Sequence, residues 1–497
     1  MKKKNIFLIV TSLCLLKVSA QNKLYEEQYR PQFHFSPATN WCNDPNGLVY
    51  NNGTYHLFYQ HNPFGNRWGH MTWAHATSKD LIHWKHLPIA IPEENGIMIF
   101  SGTCVVDKNN TSGFGKDGKI PMVAVYTGHI ENKNQSQNIA YSLDDGVTWT
   151  KYVNNPVLDL HKVDFRDPKI FWYEPKKYWV MNVMLPVEHL VQFYSSNNLK
   201  DWTHLSDFGP AGDTNAVWEC PDLTPVPVEG MPGKKKWLLQ MSMNATMQYF
   251  VGEFNGEKFT NENPVNKIYR PDYGPDYYAA IAYNQLPATH LPTAIGWVNN
   301  WNYANDIPTT PWKSAMSIPR NLSVQKNGDE WILVQKPINA TNSLRKEVYR
   351  SAGIVVDDKD ILPVKSKQFE LQVDMEPAAD AVCGLRLAVG NSNYFEIGYN
   401  AATKTFYIDR SKSGNVSFND NFKKLNHFEK KISLKNKKIH LQIFYDNSIA
   451  EIFVNGGEAV FTAQLFPDAR NNGIELFNMG SKSKFNNLHI WQMKSAW

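Results

Sequence analysis

The fold class predicted by the sequence is all-β: a five-bladed β-propeller followed by a C-terminal β-sandwich. Three observations predict it. First, an acidic motif opens three similar stretches: Trp41-Cys42-Asn43-Asp44-Pro45-Asn46-Gly47, Phe165-Arg166-Asp167-Pro168 and Glu219-Cys220-Pro221-Asp222. Each leads into a short apolar strand, a turn and a second, aromatic-rich strand, as in PKIFWYEPKKYWVMNV after Asp167. Second, a Ser, a polar turn and a Trp recur at Ser78–Trp84, Ser142–Trp149 and Ser195–Trp202. The tryptophans stand roughly 50 to 65 residues apart, the length of a four-stranded β unit. Third, helical periodicity is scarce, whereas short strands bounded by Gly, Asn and Asp turns are frequent.

Taken in chain order, Lys2, Lys3 and Lys4, the apolar IFLIVTSLCLL and the small-residue Val18-Ser19-Ala20 read as a secretory signal peptide over residues 1–20. The apolar run is too short for a membrane span, and no later segment is apolar enough for one. Cys14 invites a lipid-anchor reading, but Leu13 before it is larger than that reading wants. Export to the periplasm or the exterior without an anchor is therefore the expectation. Residues 21–340 hold five repeat units. They begin at Asn43, near Phe100-Ser101-Gly102, at Arg166, at Glu219 and near Tyr277, the last including TAIGWVNNW. Radial repetition of four-stranded sheets makes a propeller. Its Ser…Trp hairpins would each end in a core tryptophan.

From about Ser343 the texture changes. Phe369–Met375 and Ile439–Ile443 alternate strictly, and Phe453-Val454-Asn455-Gly456-Gly457 before Ala459-Val460-Phe461 is a hairpin with a favoured turn dipeptide. Residues 345–497 read as a β-sandwich, with support rather than sugar binding as its expected role.

Bulk properties narrow the function. A formal net charge of +4 with mixed signs gives no reason to expect nucleic acid as a partner. With the signal removed, Cys42, Cys104, Cys220 and Cys383 remain, few for an exported chain, and no C-x-x-C pair suggests zinc. Cys42, Cys104 and Cys220, beside the suspected site motifs, read as small buried residues. His61, His70 and His75, near the first unit, read as structural hydrogen-bonding groups.

Carboxylates at the same place in three repeats converge when the repeats stack around an axis. Converging carboxylates are the equipment of glycoside hydrolysis. Singly, Asp44 or Asp167 before proline is an ordinary turn starter, and Glu219 an ordinary surface residue. The repeat phasing is what distinguishes them.

At WCNDPNG, FSGTCV, FRDP, ECPD and GWVNNWNYANDIPTTPWKSAMSIPRNL the chain resembles glycoside hydrolase family 32, the invertase, levanase and inulinase family, over nearly its whole mature length. The resemblance implies a retaining hydrolase of β-fructosidic bonds. In it, Asp44 is the nucleophile and Glu219 the general acid and then base, while Asp167 holds hydroxyls of the fructosyl ring. Asn43, Gln60, Trp68, Phe100, Ser101, Arg166 and Trp301 would surround the sugar. Asp276 and Tyr278 would lie at the rim. Cys42 stands where the family most often has Met, a change that removes no charge. The acid must stay protonated near neutral pH, which calls for burial and neighbouring negative charge, and the nucleophile must stay ionised with the help of amide donors.

The implied substrate is a fructan or fructo-oligosaccharide, and sucrose is also open. The implied mechanism needs no metal or organic cofactor. The Trp-Asn-Tyr-Ala-Asn segment resembles polymer-degrading members more than plain invertases, so a fructanase is expected, with exo action as the preferred mode. The alternatives are an endo-acting levanase, an inverting arabinanase-like enzyme, a fructosyltransferase or a non-catalytic carbohydrate-binding propeller.

Overall fold

The computed structural model describes residues 24–497, so residues 1–20, read above as a signal peptide, lie outside the described residues. The innermost strands of five sheets face a common axis: β1 (Asn40–Asn51), β2 (Met98–Val106), β3 (Arg166–Tyr173), β4 (Trp218–Pro227) and β5 (Tyr278–Ala282). Each packs against the next, and β5 returns to β1, so the ring closes. Each begins an antiparallel up-and-down sheet. After β3, for example, come Tyr178–Leu185, Leu190–Ser196 and Thr203–Phe208 in simple order. The closing contact is also covalently distant: Trp312–Lys313, from the last unit, pairs in parallel with Asn40 and Trp41 of β1. This is a five-bladed β-propeller.

The residues at Ser78, Ser142 and Ser196 build the turns between third and fourth strands. Ser78 Oγ accepts the Leu81 N–H at 2.8 Å, and Asp80 Oδ1 accepts the Ile82 and His83 N–H groups. Asp144 and Asn198 do equivalent work in the next two blades. The tryptophans that follow are not core residues, contrary to expectation. Trp84, Trp149 and Trp202 are half-buried, because each starts or precedes a blade's outermost strand. The fully buried tryptophans among the described residues are Trp41, Trp73, Trp218 and Trp297, none of them on a blade's outermost strand.

Arg345–Val356 opens the C-terminal β-sandwich, two six-stranded antiparallel sheets. The last strand, Ser483–Met493, inserts between Arg345–Val356 and Gln368–Glu376. Alternation puts Phe369, Leu371, Val373 and Met375 into one core with Leu385, Ile397, Ile443 and Ile452.

Buried ion pairs tie the two parts together. Arg320 binds Asp272 and, from the sandwich, Glu451. Arg410 of the sandwich binds Asp276 at 2.7 Å and donates to Tyr303.

Candidate active site

All five innermost strands break register with their neighbours at the same height. The shifts fall between Cys42 and Pro45, Ile99 and Gly102, Arg166 and Lys169, Glu219 and Asp222, and Tyr278 and Ile281. A bulge bends a strand and re-aims its side chains. Asp167, Cys220 and Ala279 adopt positive φ there, of 66°, 49° and 51°. Backbone strain of this kind is held only where surroundings over-determine it. The proline after Asp44, after Asp167 and after Cys220 fits this geometry, since it needs no ladder N–H at a bulge.

The bulges deliver the carboxylates to one pocket of about 370 Å³. Asp44, Asp167 and Glu219 line it, as do Asn43, Gln60, Trp68, Phe100, Ser101, Arg166 and Trp301, so the three acids and the seven residues expected around the sugar reach one place. Two larger clefts, of about 570 and 590 Å³, lie between propeller and sandwich and contain none of the three carboxylates.

Asp44 is held from both sides. Asn43 Nδ2 donates to Oδ1 at 3.0 Å, and Ser101 Oγ donates to Oδ2 at 2.6 Å. The Cys220 thiol lies 3.5 Å from the same Oδ2. Burial pushes the Asp44 carboxyl above its ordinary range; Ser101 and Asn43 oppose this, and Glu219 adds to it. The amide donor expected for the ionised form is therefore present, but desolvation outweighs it.

Asp167 is anchored by its backbone, whose N–H donates to Thr127 Oγ1, and by the Cys220 N–H, which donates to Oδ2 at 2.9 Å. Burial raises its carboxyl to about 7, with Arg166 lowering it and Glu219 and Asp44 raising it. Glu219 accepts from Arg166 Nη2 at 3.0 Å and from the Tyr278 hydroxyl. Arg166 also donates to Asp164 at 2.6 Å and approaches Asp167 at 3.9 Å. One guanidinium thus serves three acids in a partly water-excluded site.

Aromatic rings shape the walls. Trp301 packs on Trp297 and Trp41, at centroid distances of 4.7 and 6.0 Å. Trp68 is 42% exposed and meets Phe100 edge-on, so it is a rim residue and not core. Gln60 is buried, yet its Nε2 has no hydrogen-bond partner among the described residues. A buried donor without a partner, lining a pocket, is suited to a ligand oxygen.

Several neighbours were not read from sequence. His129, Gln135 and Asp164 line the pocket. Asp164 had a faint signal, two residues before Arg166. His129 and Gln135 had none, because a hairpin between blade strands brings them in. Tyr278, expected at the rim, is buried and bound to Glu219. Asp276 is fully buried against Arg410, away from the rim. Among the histidines, His61 binds the Trp41 carbonyl, His75 binds His56, and His70 binds Glu93, all structural contacts.

Comparison with known proteins agrees with this layout. The description "Glycosyl hydrolases family 32 N-terminal domain" matches residues 34–337, and "Glycosyl hydrolases family 32 C terminal" matches residues 340–492. A levanase of Bacillus subtilis (strain 168) is 43% identical over 520 residues, covering 100% of this chain and 76% of the relative. The extracellular exo-inulinase of Aspergillus niger (strain ATCC MYA-4892 / CBS 513.88 / FGSC A1513) is 38% identical over 532 residues, 98% of each chain. The crystal structure of exo-inulinase from Aspergillus awamori superposes with a TM-score of 0.90 at 36% identity, over 95% of this chain and 100% of that one. The β-fructofuranosidase of Schwanniomyces occidentalis, complexed with fructosyl-erythritol, gives 0.85 at 30% identity, over 95% and 99%.

Proposed function

We propose that this chain, which belongs to glycoside hydrolase family 32 and is a β-fructofuranosidase-type hydrolase, releases fructose from the ends of fructan chains. The observation that supports this best is the convergence of Asp44, Asp167 and Glu219, from three different blades, on one pocket. Cleavage builds positive charge at the anomeric carbon, and three carboxylates around one sugar ring favour that charge.

In the first half-reaction a carboxylate oxygen of Asp44 bonds to the anomeric carbon as the glycosidic C–O bond breaks. Glu219 gives its proton to the departing oxygen. In the second, Glu219 takes a proton from water, the water oxygen bonds to the anomeric carbon, and the Asp44 carboxylate leaves. Ser101 and Asn43 hold the nucleophile in one orientation, so little reorganisation remains for the reaction. Arg166 and Tyr278 donate to Glu219 and stabilise the negative charge it carries between the steps. Asp167, Gln60 and Asn43 take sugar hydroxyls, while Trp68, Phe100 and Trp301 face the C–H edges of the ring.

Levan or inulin is the proposed polymer, since the relatives include a levanase and exo-inulinases. Action outside the cytoplasm is proposed on the signal-like pattern of residues 1–20 and on the relative named extracellular. No helix among the described residues is long and apolar enough to cross a membrane.

A time course of products from levan, inulin and sucrose tests the reading. Fructose alone from the first time points is the expected outcome. An early ladder of oligosaccharides would make the enzyme endo-acting, and no release from any of the three would sink the fructan assignment. Asp44→Ala should abolish turnover, by about 10⁴-fold or more, while leaving oligosaccharide binding intact. Binding without turnover in the unaltered chain would instead favour a lectin.

A further inference from the structure

His129 sits at the pocket wall with its ring stacked on Phe100, at 4.2 Å between centroids and 11° between planes. Its Nδ1 lies 3.2 Å from Gln135 Nε2. The orientation of the Gln135 amide is dictated elsewhere. Its Oε1 accepts the Phe165 N–H at 2.9 Å and Arg166 Nη1 at 3.3 Å. Two N–H donors on one oxygen leave the amide nitrogen facing His129, and an amide nitrogen only donates. His129 Nδ1 must therefore accept, which makes the ring neutral with its hydrogen on Nε2. Arg166, held by this amide through Nη1, uses Nη2 to bind Glu219.

The chain of contacts runs His129, Gln135, Arg166, Glu219. A proton on Nδ1 would place N–H against N–H. Turning the amide to relieve that would set its nitrogen against the Arg166 guanidinium, a second donor clash. Charge around the ring is set by Arg166 at the start of β3, by Asp164 just before it and by Glu131 from the adjoining turn. Phe100 contributes none. Burial first, and then Arg166, hold the imidazole below its ordinary range, with Glu131 and Asp164 opposing.

We propose that neutral His129 is a positioning residue for the proton-donating half of the site: through Gln135 it holds Arg166 against Glu219, and on taking a proton it withdraws that support. The inference rests on the role given to Glu219 above. It separates His129 from a residue that only packs against Phe100.

The test compares His129→Phe, which keeps the stack and loses the acceptor, with His129→Asn, whose side-chain oxygen replaces Nδ1 and does not titrate. Each is assayed across pH on inulin or levan, whose leaving group needs a proton, and on β-fructofuranosyl fluoride, whose leaving group needs far less help. Wild type and Glu219→Gln are run alongside. Hydrolysis by wild type and its loss in Glu219→Gln on polymer keep the parent reading in place, and the His129 variants then speak for themselves. No hydrolysis by wild type overturns both.

His129→Phe is expected to lower kcat on polymer about tenfold, with KM within about twofold and the fluoride nearly unaffected. His129→Asn is expected to recover most of that kcat, with its acid limb moved to lower pH. The proposal is overturned if both variants change KM alone, if polymer and fluoride fall together, or if His129→Asn behaves as His129→Phe. Should His129→Phe fail to fold, the acid limb of His129→Asn decides: unmoved from wild type, it overturns the proposal.

Discussion

Asp167 carries opposed demands in a single side chain. It is buried among acids, its carboxyl is raised to about 7, and the Arg166 guanidinium and the Cys220 N–H moderate it. A carboxyl raised on folding binds more protons folded than unfolded between about pH 4 and 7, so it subtracts stability as pH rises through that window. Asp167→Asn removes the buried charge without changing shape. It should stabilise the fold at pH 7 by about 2 kcal/mol, flatten the pH dependence between pH 4 and 7, and lose most activity. Thermal melts at several pH values check the first two, and an assay the third. Destabilisation at pH 7 would show that the Arg166 contact outweighs burial.

The innermost strands carry the second level of organisation. Each bulge must be held at its height, and a buried pair below the pocket does this for β3 and β4. Lys169 Nζ meets Asp222 Oδ1 at 2.9 Å and donates to the Ala282 carbonyl, joining three blades. Asp222 in turn accepts the Ala282 N–H at 3.1 Å. Removing one partner strands the other in a dry place. Lys169→Met should cost about 3–5 kcal/mol in denaturant unfolding, and adding Asp222→Asn should return part of that loss. Additive losses would mean that the two groups act independently. Gly47 shows the same tightness in β1: its φ is +55°, and a Cβ there would lie 2.6 Å from Phe58 and 2.9 Å from Trp73.

For the whole molecule, the seam between propeller and sandwich is charged and dry. His34, from the chain's entry to the first blade, lies between Asp446 Oδ2 at 2.8 Å and Glu451 Oε1 at 3.0 Å, both in the sandwich. Burial opposes its charge, but the two carboxylates prevail and raise the imidazole to about 9. A histidine raised on folding stabilises fully below its unfolded value and loses that contribution as pH rises toward 9. Melting temperature should therefore fall between about pH 6.5 and 9, and His34→Gln should lower it at pH 6 while flattening this stretch. A wild-type curve that is flat there would show that His34 is neutral in the fold. Because Arg320 and Arg410 cross the same seam, propeller and sandwich should melt in one transition, seen by calorimetry.

The sequence by itself determined the all-β class, the five repeats and the three carboxylates, because these are written in local patterns: alternation, turn chemistry and an acid beside proline. Seven of the ten site residues named from it came from contiguous motifs on innermost strands, where one register shift aims several neighbours at once; Gln60 lies on the next strand, and Trp68 and Trp301 lie in loops. What the tertiary structure alone decided depends on partners distant in the chain. The hairpin tryptophans proved half-buried because their place at the blade's outer edge is a property of the assembled sheet. Asp276 proved a seam residue because Arg410, far along the chain, claims it. His129 and Gln135 entered the pocket through cross-strand pairing and the approach of Arg166, and no periodicity records which hydrogen bonds converge when blades close into a ring.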